Sequence, residues 1–539
     1  MKVSVKYGNK LLNVNIDAAG EDHHLLDALR KNQIEVQANC GGAGLCGKCK
    51  IKFEEGAPNP SIQDENCLSA EELAAGWRLA CTVEPKDLVE PVTILVPQTN
   101  EDEMEVQVGG VSRAGAEAEK IADGMGDTET PTVDPSHTYG IAVDIGTTTV
   151  AIALVDMDTT QEVDHFATVN HQRRFGADVI SRIKAAGEGH LEEMQNSIRK
   201  DLKGGIETLL NTYNLEPASL SKIVIAGNTT MGHLFMGFSC DSLGRAPYTP
   251  VDISTIRRSA TEIFGWENTQ AEVILLPGIS TYVGADITAG MYATGMHTSK
   301  ELSVLVDLGT NGEMAIGNEE KFLVTSTAAG PAFEGGNISC GVASVPGAIC
   351  SVAIDGTTVE VKTIGEQTPV GLCGTGVIET VYELMKAEWI DYSGRLEDDY
   401  FDDGVVLAKN AKGEELTFLQ EDVREVQLAK SAVRAGLECL LLKFGATYED
   451  VANVYIAGGF GYKMDLKKAA GIGMLPEELL PKMQAVGNSS LSGALEALKN
   501  PKTLAEMEAI VSNSEEVNLA TTKEFNDFYM EYMMFEDDF

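Results

Sequence analysis

Cys40, Cys46 and Cys49 stand in the stretch NCGGAGLCGKCK, and Cys81 follows in GWRLACTV, so the spacing is C-x5-C-x2-C-x31-C. Four thiolates are the donor set a [2Fe-2S] cluster requires. Gly41, Gly42, Gly44 and Gly47 fit that chemistry, because backbone amides must turn inward to donate to sulfur and side chains would block the approach. Structural zinc is the rival reading, but zinc ligands usually come as two close pairs, whereas here a close trio has a distant fourth member. Ordinary buried thiols would not need the glycines. Cys67, in ENCLSAEEL, reads as a packing residue beside a capping box of Ser69 and Glu72.

A second chemistry is written twice. YGIAVDIGTTTVAIALVD places Asp144 at the end of an apolar strand, a turn at Gly146, Thr147 and Thr148, and then a second strand. LSVLVDLGTNGEMAIG repeats the plan with Asp307, Gly309, Thr310, Asn311 and Gly312. Glycine lets backbone amides approach phosphate oxygens and threonine adds a hydroxyl donor. Aspartate can hold Mg²⁺ through water or orient an attacking nucleophile. One such turn would be commonplace in any hairpin. Two copies facing each other would clamp a triphosphate. KIVIAGNTTMGHLFMG, at Gly227, and NVYIAGGFGYKMD, at Gly458, Gly459 and Gly461, each add an apolar strand running into a glycine loop ahead of a helix.

These residues need scaffolds. A chain of 539 residues exceeds one hydrophobic core, so several domains are expected. MKVSVKYGNKLLNVNI reads as two strands joined at a Gly-Asn turn, HHLLDALRKNQI as a short amphipathic helix and KIKF as a strand after the cysteine loop. From Gln98 to His137 the composition turns acidic and poor in large apolar residues, the signature of a linker. The alternation of Asp hairpin and Ile-Ala-Gly loop, twice over, implies two related lobes. STYVGADITAGMYATGM reads as a helix of small residues suited to close packing where they cross. The net charge of −41 and pI near 4.5 leave no broad basic surface, which argues against nucleic acid and an anionic membrane face. With no signal sequence and no long apolar run, the chain reads as cytoplasmic.

The first ninety-odd residues resemble [2Fe-2S] ferredoxins, with one residue more than the plant-type spacing between the first two cysteines, closer to the adrenodoxin-like branch. The paired hairpins with AGGFG resemble the acetate and sugar kinase, Hsp70 and actin superfamily, with phosphate sites at 144–148 and 307–312 and adenosine at 458–461. The implied fold is an α+β, β-grasp ferredoxin domain (1–97), a linker (98–137) and an α/β two-lobed actin/Hsp70/sugar-kinase-like, ribonuclease H-like ATPase domain. Its lobes are 138–300 and 301–539, the latter with a C-terminal extension, FYMEYMMFEDDF, that matches nothing assignable.

The whole chain resembles the ATP-dependent reductive activators of corrinoid proteins, which return Co(II) to methyl-accepting Co(I). RFGADVISRI (174–183), CGVASVPGAI (340–349) and GLCGTGVIETVYELMKAEWID (from Gly371) agree with that family. The resemblance implies Cys40, Cys46, Cys49 and Cys81 as cluster ligands, and Asp144 and Asp307 as catalytic residues acting on ATP with Mg²⁺. It implies as partners a corrinoid protein of a methyltransferase system and a low-potential electron donor, and the sequence is compatible with a homodimer. The electron transfer is uphill from a cluster near −400 mV, at about 2.3 kcal/mol per ~100 mV. A small-metabolite kinase of the same superfamily and a nucleotide-binding redox-sensing scaffold are the alternatives. ATP hydrolysis that depends on a corrinoid partner separates all three. Cys340, Cys350 and Cys373 read as packing residues, and His233 as a structural histidine rather than a cleft residue.

Overall fold

A computed structural model of the chain describes residues 2–7, 10–16, 24–32, 34, 36, 38, 42, 44, 47–97, 133–458 and 464–535. Cys40, Cys46, Gly459, Gly461 and the linker as far as residue 132 lie outside the described residues.

The N-terminal strands follow the period-2 rule of a sheet with one buried face. They are β1 (Lys2–Tyr7), β2 (Lys10–Asn15), β3 (Lys50–Glu55), β4 (Trp77–Leu79) and β5 (Val92–Val96), in the order β2-β1-β5-β3-β4. β1 runs antiparallel to β2 and parallel to β5, with Val5 opposite Ile94 and both fully buried. The helix Leu25–Lys31 covers this face with Leu25, Leu26 and Leu29. Each such leucine contributes about 1.5–3 kcal/mol of burial. Asp27 in its first turn and Arg30 and Lys31 in its last complement the helix dipole. This is the mixed α+β sheet expected of a ferredoxin domain. The capping box at Ser69 forms as its sequence requires, the hydroxyl accepting from Glu72 N–H at 3.1 Å.

Two compact units partition the chain. One holds the described residues of 1–102 with 170–199 and 233–251; the other holds those of 103–169, 200–232 and 252–539.

The second unit contains two six-stranded sheets. The first has β6 (Tyr139–Ile145), β7 (Thr149–Asp156), β8 (Glu162–Val169), β9 (Leu220–Gly227), β10 (Ile256–Ser259) and β11 (Glu272–Leu275), in the order β10-β11-β9-β6-β7-β8. The next strands are β12 (Leu302–Leu308), β13 (Gly312–Gly317) and β14 (Phe322–Thr327). A small sheet of β15 (Ala348–Asp355), β16 (Thr358–Thr363) and β17 (Gly371–Leu372) and the ribbon β18 (Val405–Lys409) and β19 (Glu415–Phe418) intervene. Then β20 (Val451–Ala457), β21 (Met483–Gly487) and β22 (Ser514–Glu516) complete the second large sheet, β21-β20-β12-β13-β14-β22.

Their central registers repeat. β6 is antiparallel to β7 and parallel to β9, so Asp144 stands between Ala151 and Ala226. β12 is antiparallel to β13 and parallel to β20, so Asp307 stands between Glu313 and Ala457. The helix Ala285–Ala293 packs on the helix Ser489–Lys499 at the small residues the sequence put there: a Cβ on Gly493 would fall 2.3 Å from the Ala289 carbonyl.

The methionine-rich C-terminal segment has a structural berth on the long helix Gln420–Phe444. Buried Lys430 donates to the Tyr532 and Met534 carbonyls at 2.6 and 2.7 Å, and Gln427 to Met533 at 2.7 Å. Among the described residues no helix is long and apolar enough to cross a membrane.

Candidate functional site

Both hairpins deliver their aspartates to one cleft in the second unit, of about 200 Å³ and partly open to solvent. It is lined by Asp144, Gly146, Thr147, Thr148, Asp307, Gly309, Thr310, Asn311 and Gly458. Gly312 lies just outside it, opening β13 against Thr327 and Met314. The two turns close alike: Gly146 N–H donates to the Thr149 carbonyl and Gly309 N–H to that of Asn311, both at 2.9 Å. Gly458 has φ +104°, and a Cβ there would lie 2.2 Å from the Leu308 carbonyl and 3.1 Å from Asp307 Oδ1. Only glycine permits that approach.

Asp286, Glu313 and Glu334 join the two aspartates in the cleft, and none of the described lining residues is basic. Burial raises the pKa of Asp144, against hydrogen bonds from Ser490 and Asn488. Burial, with Asp286 and Asp144 nearby, raises Asp307 to about 8. Asp286 rises to about 7, chiefly by burial and then by Asp144, while Glu313 is pushed well above the carboxylate range by burial, Asp286 and Asp307. Crowded carboxylates with no cation among them are the hard-oxygen donor set of Mg²⁺, so these residues fit that ion. Thr148 Oγ1 and Thr310 Oγ1, one from each hairpin, donate to the same oxygen of Glu334, Oε2, at 3.0 and 2.7 Å.

Asp286, Glu313, Glu334, Asn228, Asn488 and Ser490 are cleft residues that sequence reasoning passed over. A signal existed for two of them. GNTT at 227–230 and GNSS at 487–490 are a repeat: each asparagine ends a strand and caps the next helix, accepting from Met231 N–H at 2.9 Å and Leu491 N–H at 2.8 Å. Each also reaches the first hairpin, Asn228 Nδ2 donating to Thr147 Oγ1 at 3.0 Å and Asn488 Nδ2 to Asp144 Oδ2 at 2.8 Å. Asp286 had a fainter one, as the sole charge in a helix of small residues.

In the first unit, Cys49 Sγ and Cys81 Sγ lie 3.3 Å apart and both residues are buried. Gly42, Gly44 and Gly47 have φ of +100°, +74° and +64°, conformations that side chains disfavour. A buried thiol pair beside a left-handed glycine loop fits a [2Fe-2S] cluster, with Cys40 and Cys46 outside the described residues. Cys67 ends the helix Ile62–Cys67 with its Sγ 3.8 Å from the Gly44 carbonyl. His233 is buried, its Nε2 accepting from Val251 N–H at 2.9 Å, and takes no part in the cleft lining. Cys373 is buried with its Sγ 3.2 Å from the Ile349 carbonyl; Cys340 and Cys350 pack beside the same strands.

Comparison with known proteins matches both parts of the chain to known domains. The model described as the C-terminal domain of RACo, the ASKHA domain, matches residues 301–538. The RACo middle region matches 139–299, and the 2Fe-2S iron-sulfur cluster binding domain matches 10–86. Corrinoid activation enzyme RamQ of Eubacterium limosum is 32% identical over 420 residues, covering 74% of this chain and 70% of that protein. The [Co(II) methylated amine-specific corrinoid protein] reductase of Methanosarcina barkeri is 27% identical over 428 residues, 73% of this chain and 76% of that one. The solved structure of a reductive activator for corrinoid,iron-sulfur protein superposes with a TM-score of 0.69 at 28% identity, over 99% of this chain and 98% of that one.

Proposed function

The chain belongs to the RACo family of corrinoid reductive activators, and from that premise we propose how its residues carry out ATP-dependent reduction of a corrinoid protein from Co(II) to Co(I). One electron enters the N-terminal domain from a low-potential donor and leaves for the cobalt, which is the substrate. A [2Fe-2S] cluster held by Cys40, Cys46, Cys49 and Cys81 supplies one-electron chemistry. The corrinoid partner serves a methyltransferase system.

ATP binds in the two-hairpin cleft. The turn amides at 146–148 and 309–311 receive phosphate oxygens, and the Thr148 and Thr310 hydroxyls exchange Glu334 for phosphate. Asp144 and Asp307 would hold Mg²⁺, which would neutralise phosphate charge, and would orient the attacking water, while the glycine loop that starts at Gly458 would receive adenosine. Hydrolysis then works through the angle between the two sheets' hairpins, because each brings an aspartate, a glycine and a threonine to the cleft.

A single observation carries this reading: paired thiols 3.3 Å apart on a ferredoxin sheet share a chain with an acidic two-hairpin cleft. The test mixes the purified protein with a corrinoid protein in the Co(II) state, a low-potential reductant and ATP. The visible spectrum should show Co(I) only when ATP is present. Equal Co(I) without ATP, or phosphoryl transfer to a small metabolite with no redox requirement, would overturn it.

A further inference from the structure

Arg30 is a buried cation, with only 7% of its surface exposed. It occupies the last turn of the helix Leu25–Lys31, which is pinned to the cysteine strands. Leu26 N–H donates to the Ala80 carbonyl at 3.0 Å, and Ala80 N–H donates to the Cys49 carbonyl at 2.8 Å. Ala80 is the immediate neighbour of Cys81. Burial pulls the guanidinium below its ordinary pKa, while Asp27, Cys49 and Cys81 pull it back up. An arginine keeps its charge throughout.

The motif Arg174–Ile183, which the ATPase chemistry leaves without a role, supplies the seat. Arg30 Nη2 donates to the Arg174 carbonyl. The Arg30 guanidinium lies 5.5 Å from the centre of the Phe175 ring, and the Arg174 guanidinium lies 4.9 Å from the same ring. The Nε atoms of both arginines are buried without a hydrogen-bond partner among the described residues. Two cations on one ring, each with an unmet donor, are an unfavourable arrangement unless negative charge lies close by. Asp27 supplies part of it to Arg30 and Glu193 part to Arg174, and thiolates at Cys49 and Cys81 add to the charge facing Arg30.

We infer that Arg30, seated on Phe175 and the Arg174 carbonyl, sets the reduction potential of the [2Fe-2S] cluster, so that the 174–183 motif governs how readily the cluster takes its electron. The inference rests on the ligand assignment above. Reduction adds one negative charge, which a fixed buried cation favours, so losing that cation lowers the potential.

The experiment is a redox titration of the full chain, followed by the cluster's visible and EPR signals, for wild type, Arg30→Met and Arg30→Lys. Arg30→Met should make reduction about tenfold less favourable, a fall of about 59 mV for one electron, with the spectral signature unchanged. Arg30→Lys should stay near the wild-type value. A wild-type potential in Arg30→Met, or equal shifts in both variants, would overturn the inference. If Arg30→Met does not fold or load, Phe175→Leu decides, since it leaves every residue of the ferredoxin region in place. Its potential should fall, and an unmoved one counts against the idea. A wild-type chain without about two irons would defeat the ligand assignment itself; a loaded chain with unmoved potentials defeats only the role of Arg30.

Discussion

Asn488 donates its side-chain N–H to Asp144 Oδ2 at 2.8 Å, across 344 residues of chain. The contact ties the aspartate of the first hairpin to the loop that starts a helix of the C-terminal half. Asn488→Asp should keep the helix cap, because a carboxylate still accepts from Leu491 N–H, but it sets a second negative charge against Asp144. ATP hydrolysis should fall at least about tenfold, roughly 1.4 kcal/mol of barrier, with the iron-sulfur absorption unchanged. Hydrolysis at the wild-type rate would show that Asp144 needs no such anchor.

Asp307→Ala should abolish ATP-supported activation while the iron-sulfur absorption stays as in wild type, because the cysteines and the cleft belong to separate compact units. Assaying hydrolysis and visible absorption on the same sample checks both halves of the expectation.

The raised carboxylates make the nucleotide-free protein sensitive to alkali. Asp307 moves from 3.8 unfolded to about 8 folded, so the folded state binds the extra proton. Its stabilising effect is full below pH ~4 and is lost as pH rises through about 8. Asp286, at about 7, follows the same sign. Tm should therefore fall between pH 6 and 9 without nucleotide, Mg²⁺ with ATP should restore most of the loss, and Asp307→Asn should flatten the curve. Calorimetric scans across that range decide it.

Glu334 occupies the hydroxyls of Thr148 and Thr310 and adds a negative charge where phosphates are to bind. Glu334→Ala should tighten ATP binding about tenfold, or ~1.4 kcal/mol, as titration calorimetry would register. Unchanged or weaker binding would mean the carboxylate organises the turns rather than guarding them.

Cys67→Ser should leave about two irons per chain, whereas Cys81→Ser should lose the cluster. Cys67 ends a helix with its Sγ 3.8 Å from the Gly44 carbonyl, whereas Cys81 is buried with its Sγ 3.3 Å from that of Cys49. Iron analysis of the two variants separates ligand from packing residue.

Residues close in sequence, acting through local geometry, were determined by the sequence alone. The C-x5-C-x2-C spacing, the strand alternation of Val3 and Val5, the capping box at Ser69 and the two Asp-Gly-Thr hairpins each need only neighbours within a few positions. The small residues of STYVGADITAGMYATGM likewise announced a closely packed helix, while Gly493 as its partner came from the structure. Tertiary structure alone decided which distant groups share the cleft. Glu334 reaches both threonines, Asn488 and Ser490 hold Asp144, and Asp286 crowds Asp307, because parallel pairing of β6 with β9 and β12 with β20 brings remote strand ends to one place. It also decided that Arg30 and Phe175, 145 residues apart, meet at 5.5 Å. The GNTT and GNSS repeat marks Asn228 and Asn488 as special, but which distant group each meets follows from long-range burial, whose driving force is non-directional and writes no spacing rule into the chain.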